Sequence, residues 1–123
     1  YAITMNRSRL LADAKAKAIE LADAGYVQPI PRTDIKVLGN QGLGIVYVGS
    51  DSMRAGKYIS DHDKKISEKL GYVMCGGDLS APTEVSEQYL LDLERKAFLE
   101  LCAERKTLER IQHMLTKGKP LRN

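Results

Sequence analysis

Gly39, Gly42 and Gly44, inside the stretch VLGNQGLGIVYVGS, are the residues whose spacing first suggests chemistry. Glycine-rich turns let backbone amides approach and cradle a phosphate. Here the order is G-x-x-G-x-G, the reverse of the dinucleotide fingerprint G-x-G-x-x-G. The order matters, because in the fingerprint the first glycine makes the turn, the second admits the pyrophosphate and the third lets the helix pack on its strand. Asp61 and Asp63 lie near the distance at which a ribose-binding acid is expected, but they begin a helix. No G-K-[ST] ends the stretch, so it is not a P-loop. The reading is a flexible start to a helix.

Other reactive side chains are equally dispersed. His62 and His113 are the only histidines, and both are expected at the surface or its boundary. Asp61-His62-Asp63 offers three ligand types in a row, but consecutive helical residues splay by about 100° around the axis and do not converge on one ion. The H-E-x-x-H spacing is absent. Glu87, Glu94 and Glu104 sit among basic neighbours, without a second carboxylate on an apolar face, and read as solvated helix acids with i,i+4 partners. Neither G-x-S-x-G nor S-x-x-K occurs. Cys75 and Cys102 form no C-x-x-C and are too few for a disulfide framework, so they are expected as reduced thiols in the cytoplasm. The residues alone offer no catalytic constellation and no metal ligands.

The elements that would position these groups are mainly helical. Residues 8–25 read as a first helix, with Leu10, Leu11, Ala14, Ala18, Leu21 and Ala22 as its apolar stripe. Asn6 or Ser8 caps its start and Gly25 takes the left-handed closing position. Residues 26–38 are a proline-containing linker, with a short extended piece over 35–38. Ile45 to Val48 favour a strand on propensity, yet Leu43, Val46, Tyr47, Ser50 and Met53 share a helical face. Gly56 closes that segment. Residues 60–76 form a helix capped by Ser60, with Ile66, Leu70, Val73, Met74 and Gly77 on its stripe. GGDLSAPT is a loop. Ser86 caps a helix over 87–103 with Leu90, Leu93, Ala97, Phe98, Leu101 and Cys102 as its stripe. Thr107 starts a last helix whose Leu108, Ile111, Met114 and Leu115 face inward, ended by Gly118 and Pro120. The predicted fold class is therefore all-α, with four or five helices in a single helical domain over 1–123, residues 39–123 forming a bundle. Too few strands occur for a Rossmann or P-loop sheet.

With 123 residues, one core is the expectation. The net charge of +3 is mild, and acids alternate with bases almost everywhere except in the tail TKGKPLRN. Such alternation marks a solvated helical face. No run approaches the 18 apolar residues of a membrane span, and the first residues lack a signal core. The chain begins with Tyr1 rather than Met and is expected to be a piece of something larger. A stand-alone helical adaptor, or a weak nucleic-acid-binding module using the basic tail, is the alternative reading.

The stretch SEQYLLDLERKAFLELCAERKTLERIQHMLTKGKPLRN resembles the C-terminal region of the enoyl-CoA hydratase (crotonase) family. Leu93-Glu94 and Phe98 match that family's L-E-x-x-x-F helix, and Ile111, Leu115, Lys117, Lys119 and Pro120 match its final helix. Met114, Thr116 and Gly118 depart from the pattern. YISDHDKKISEKLGYVMCGGD extends the likeness to bacterial multifunctional fatty-acid oxidation proteins, which join an NAD-dependent 3-hydroxyacyl-CoA dehydrogenase to a hydratase-like part. The resemblance implies a helix over the opening glycine stretch. It implies a chain that completes an acyl-CoA site and subunit contacts without catalysing alone. The parent would use NAD and acyl-CoA and form a homo-oligomer. It further implies that Lys117 and Lys119 approach a CoA phosphate, where ammonium groups act as point charges.

Overall fold

A computed structural model describes residues 3–123. Residues 1 and 2, which the single-domain expectation includes, lie outside the described residues. The chain divides into two compact units, Tyr1–Ile30 and Pro31–Asn123.

In the first unit a single 3-10 turn leads into α1 (Leu10–Asp23). The Asn6 side chain accepts a hydrogen bond from the Ser8 amide at 3.0 Å and so caps the 3-10 turn, while α1 itself starts from Arg9 without a side-chain cap. Gly25 closes the helix at φ +76°, and the Tyr26 amide donates to the Leu21 carbonyl at 3.0 Å. The helix buries none of its residues. Its stripe residues Leu10, Ala14, Ala18 and Leu21 line a shallow concavity together with Ile3 and Thr4.

The second unit holds β1 (Ile35–Val37), α2 (Gly39–Ala55), α3 (Asp61–Met74), β2 (Thr83–Val85), α4 (Glu87–Cys102) and α5 (Arg105–Lys117). The described residues are thus mostly helical, with five α-helices and one small sheet, in agreement with the expected class. The two strands pair antiparallel, Ile35 opposite Val85 and Lys36 opposite Glu84, so that unlike charges face each other. Strand β2 was not expected. It is only three residues long, and it forms because β1 supplies its ladder.

Residues 45–48 are helical, against their strand propensity, because α2 packs on α3. Gly71 makes that packing close: a Cβ there would lie 2.6 Å from Cγ1 of Val46. Helix α3 starts with a full capping box, Ser60 and Asp63 each accepting from the other's backbone amide. Helix α4 is capped by Ser86. Ion pairs Lys65–Glu104 and Lys69–Glu100 tie α3 to the end of α4 and the turn after it.

The core is small. Among the described residues Val37, Leu43, Cys75 and Ala97 are the buried apolar ones, and no large side chain is fully enclosed. The inward assignment of Leu108, Ile111, Met114 and Leu115 of α5 is therefore corrected: all four are exposed, Leu115 at 79%. The stripe residues Leu70 and Met74 of α3 and Phe98 of α4 are exposed as well. Periodicity places them on stripes, but no other element of the second unit buries them. Helix α5 also begins before Thr107, which sits buried in its first turn.

Candidate functional site

The glycine stretch forms no anion cradle. Gly39 adopts φ +59° and turns the chain into α2, where its amide donates to the Cys75 carbonyl at 2.8 Å. The Asn40 amide donates to the Leu79 carbonyl at 2.7 Å. Two of the amides at this helix start are thus engaged with protein carbonyls. Cβ atoms at Gly39 and Gly42 would collide with the Leu79 carbonyl and with Cys75 Sγ. These glycines serve close helix packing, while Gly44 faces open space.

Asp61, His62 and Asp63 diverge as helical geometry requires. Asp61 pairs with Arg54. Asp63 accepts from the Ser60 amide at 3.0 Å and from Nη1 of Arg110 at 2.7 Å. The Ser60 amide and then the Arg110 guanidinium hold its carboxyl at about 2. His62 is a correction to the sequence reading: only 4% of it is exposed, and its Nε2 lies 3.0 Å from Oγ1 of Thr107. Burial lowers its pKa, and nearby Arg110, Lys106 and Lys65 add to that, while Glu104 opposes. His113 is half-buried, at the boundary as expected. Among the described residues no three His, Cys, Asp or Glu side chains gather around a point that could hold a metal.

Lys117 ends α5, and Gly118 closes it in the left-handed region at φ +63°. Lys117 and Lys119 are both exposed, and neither lines the clefts beside α3. Residues 118–123 fold back along α5. Arg110 Nε donates to Oδ1 of Asn123 at 2.7 Å, and Asn123 Nδ2 donates to Oε2 of Glu109 at 2.9 Å.

An apolar groove of about 540 Å³ lies between α3 and α4. Leu70, Val73, Met74, Leu91, Phe98 and Leu101 form its walls, and Lys69, Glu94 and Arg95 line it with charge. Met74 is 77% exposed and Phe98 57%. Aromatic and thioether side chains at such exposure mark a face built for contact. The sequence places Leu70, Val73, Met74, Phe98 and Leu101 on helical stripes; Leu91 lies outside the stripe read for its helix.

Among curated proteins, the chain is similar to a "Probable 3-hydroxyacyl-CoA dehydrogenase" of Bacillus subtilis (strain 168), at 48% identity over 121 residues. The match covers 98% of this chain and 15% of the relative. No family model matches. No solved structure matches. The chain therefore corresponds along nearly its whole length to one segment, about 15%, of the curated relative it matches.

Proposed function

We propose that this chain is a helical part of a 3-hydroxyacyl-CoA dehydrogenase of fatty-acid β-oxidation, joined to a hydratase-like, crotonase-related region. The observation that carries the reading is the 48% identity across 98% of the chain to a protein that bears that dehydrogenase name. The uncovered α3–α4 groove and the exposed α5 stripe support a role as a cover, lying on a body contributed by the rest of the parent or by a neighbouring subunit.

The residues here do not fit a nicotinamide-dinucleotide site: the glycine order is reversed, the Gly39 and Asn40 amides are engaged with carbonyls, and the described sheet is two antiparallel strands. NAD is accordingly assigned to the remainder of the parent. The present chain is a non-catalytic, single-domain cover for the acyl-CoA site in a cytoplasmic homo-oligomer. In this reading Lys117 and Lys119 reach a CoA phosphate.

The test is NADH formation by the complete protein with a 3-hydroxyacyl-CoA. Removing both ammonium groups (Lys117→Ala with Lys119→Ala) is expected to raise KM about threefold to tenfold while leaving kcat unchanged, as loss of exposed charge contacts does. A complete protein that reduces no NAD with any 3-hydroxyacyl-CoA overturns the reading. An unaltered KM removes the two lysines from it.

A further inference from the structure

Three helices of this chain end in the same backbone motif, and one of them breaks its residue rule. In the Schellman motif the residue after the cap is left-handed and is usually glycine. Helix α1 obeys this with Gly25 at φ +76°, and α3 with Gly76 at φ +84°. Helix α2 has the same two bonds, Lys57 amide to Arg54 carbonyl and Tyr58 amide to Met53 carbonyl, each 2.9 Å. Its left-handed residue is Lys57, at φ +60°, the only non-glycine with positive φ among the described residues. A glycine is present, but one position early: Gly56 is right-handed at φ −73°. What Gly56 provides is room, since a Cβ there would lie 2.7 Å from the ring of Tyr58. The turn thus presses a tyrosine ring against the backbone and places a lysine where the backbone disfavours it. Left-handed lysine is strained, and backbone strain of this kind clusters at ligand-holding sites.

Lys57 borders an open cleft of about 700 Å³ that Lys106 and Arg122 also line. Two carboxylates, Asp61 and Asp63, line it as well, but each is already engaged, by Arg54 and by Arg110. Lys57, Lys106 and Arg122 have no carboxylate within ion-pair distance among the described residues. Three free cations therefore share one concavity whose acids are spent. A cation-lined cleft concentrates field and attracts multiply charged anions.

The geometry points to a binding site in this cleft for a phosphate-class oxyanion, held by the ammonium groups of Lys57 and Lys106 and the guanidinium of Arg122. The site does not rest on the dehydrogenase reading, and it is separate from Lys117 and Lys119. Arginine offers the paired donors that a phosphate accepts, and the two lysines add point charges. The exposed ring of Tyr58, beside Lys57, provides a flat face for a heteroaromatic base if the phosphate arrives on a nucleotide.

The experiment is calorimetric titration of the full chain with inorganic pyrophosphate and, separately, with adenosine diphosphate. Lys57→Gly is the informative variant, because it removes the ammonium while relieving the backbone, so the fold and its Tm are kept or improved. Pyrophosphate binding is expected at low salt, weakened about threefold to tenfold by Lys57→Gly and by Arg122→Ala, and weakened further as salt rises. A nucleotide source shows as tighter binding of adenosine diphosphate that Tyr58→Ala abolishes. A free-phosphate source shows as equal affinity for the two probes, and either result supports the site. No pyrophosphate binding at millimolar concentration overturns the proposal, as does unchanged affinity in a folded Lys57→Gly chain. Loss of binding in Lys117→Ala/Lys119→Ala with retention in Lys57→Gly also overturns it.

Discussion

The Nε2 atom of His62, in the first turn of α3, lies 3.0 Å from the Oγ1 atom of Thr107, in the first turn of α5. Both residues are buried, so neither can turn to water for a replacement partner. The first prediction follows directly. Thr107→Val keeps the shape and strands the imidazole, which is expected to cost about 1–2 kcal/mol. Urea unfolding measures it, and an unchanged midpoint contradicts the assigned role.

The same histidine gives the fold an acid-sensitive contribution. Burial, reinforced by Arg110, Lys106 and Lys65, holds its folded value below the ordinary 6.5. The unfolded chain then binds the proton more readily, so this contribution is complete above pH 6.5 and is lost as pH falls through the lower folded value. Asp63 behaves in the same sense at lower pH. Its contribution, about 2 kcal/mol, is present above 3.8 and disappears as pH falls towards 2. Unfolding midpoints should decline from pH 7.5 to 5, and His62→Gln should flatten that slope. A parent slope no steeper than that of the variant counts against it.

Gly71 and Val46 set the distance between α2 and α3. In an open helix Gly→Ala stabilises by about 1 kcal/mol. Here the added Cβ would sit 2.6 Å from a stiff, β-branched side chain, and the sign reverses. Gly71→Ala is expected to destabilise by about 1–3 kcal/mol through overpacking. Adding Val46→Ala should recover part of the loss, giving a coupling energy in a double-mutant cycle. Additive effects would mean the two side chains do not meet.

The 123-residue chain by itself is expected to self-associate through its uncovered apolar faces. Sedimentation velocity should show dimers or larger species that grow with concentration. Phe98→Glu with Leu70→Lys, both on the α3–α4 groove, should shift the population towards monomer. A clean monomer at high concentration in the unaltered chain would contradict this.

Helix ends were the most legible part of the sequence, because their chemistry is local. Ser60, Ser86, Asn6, Gly25 and Gly118 announce caps within a few residues of where they act. Features that depend on distant partners were not legible. Val46 is helical because Gly71 leaves room for it, and His62 is buried because Thr107 lies over it. The inward reading of Leu108, Ile111, Met114 and Leu115 failed for a related reason: a stripe shows where burial would occur, not whether a cover exists. Gly56 caps α2 where the sequence reading closes that segment, but which residue takes the left-handed slot was not legible: Gly56 makes room for the Tyr58 ring while Lys57 turns left-handed. The α3–α4 groove was visible as two separate patterns, and only the packing of the helices joined them into one face.

The sulfur of Cys75 is buried against Gly42, in the first turn of α2, whereas Cys102 is half-buried at the end of α4. A thiol-reactive dye therefore meets two clocks in one molecule. Cys102 sets the fast one. Cys75 reacts only when α2 lifts from its seat, so its labelling rate counts those openings and reports how firmly the helix is latched.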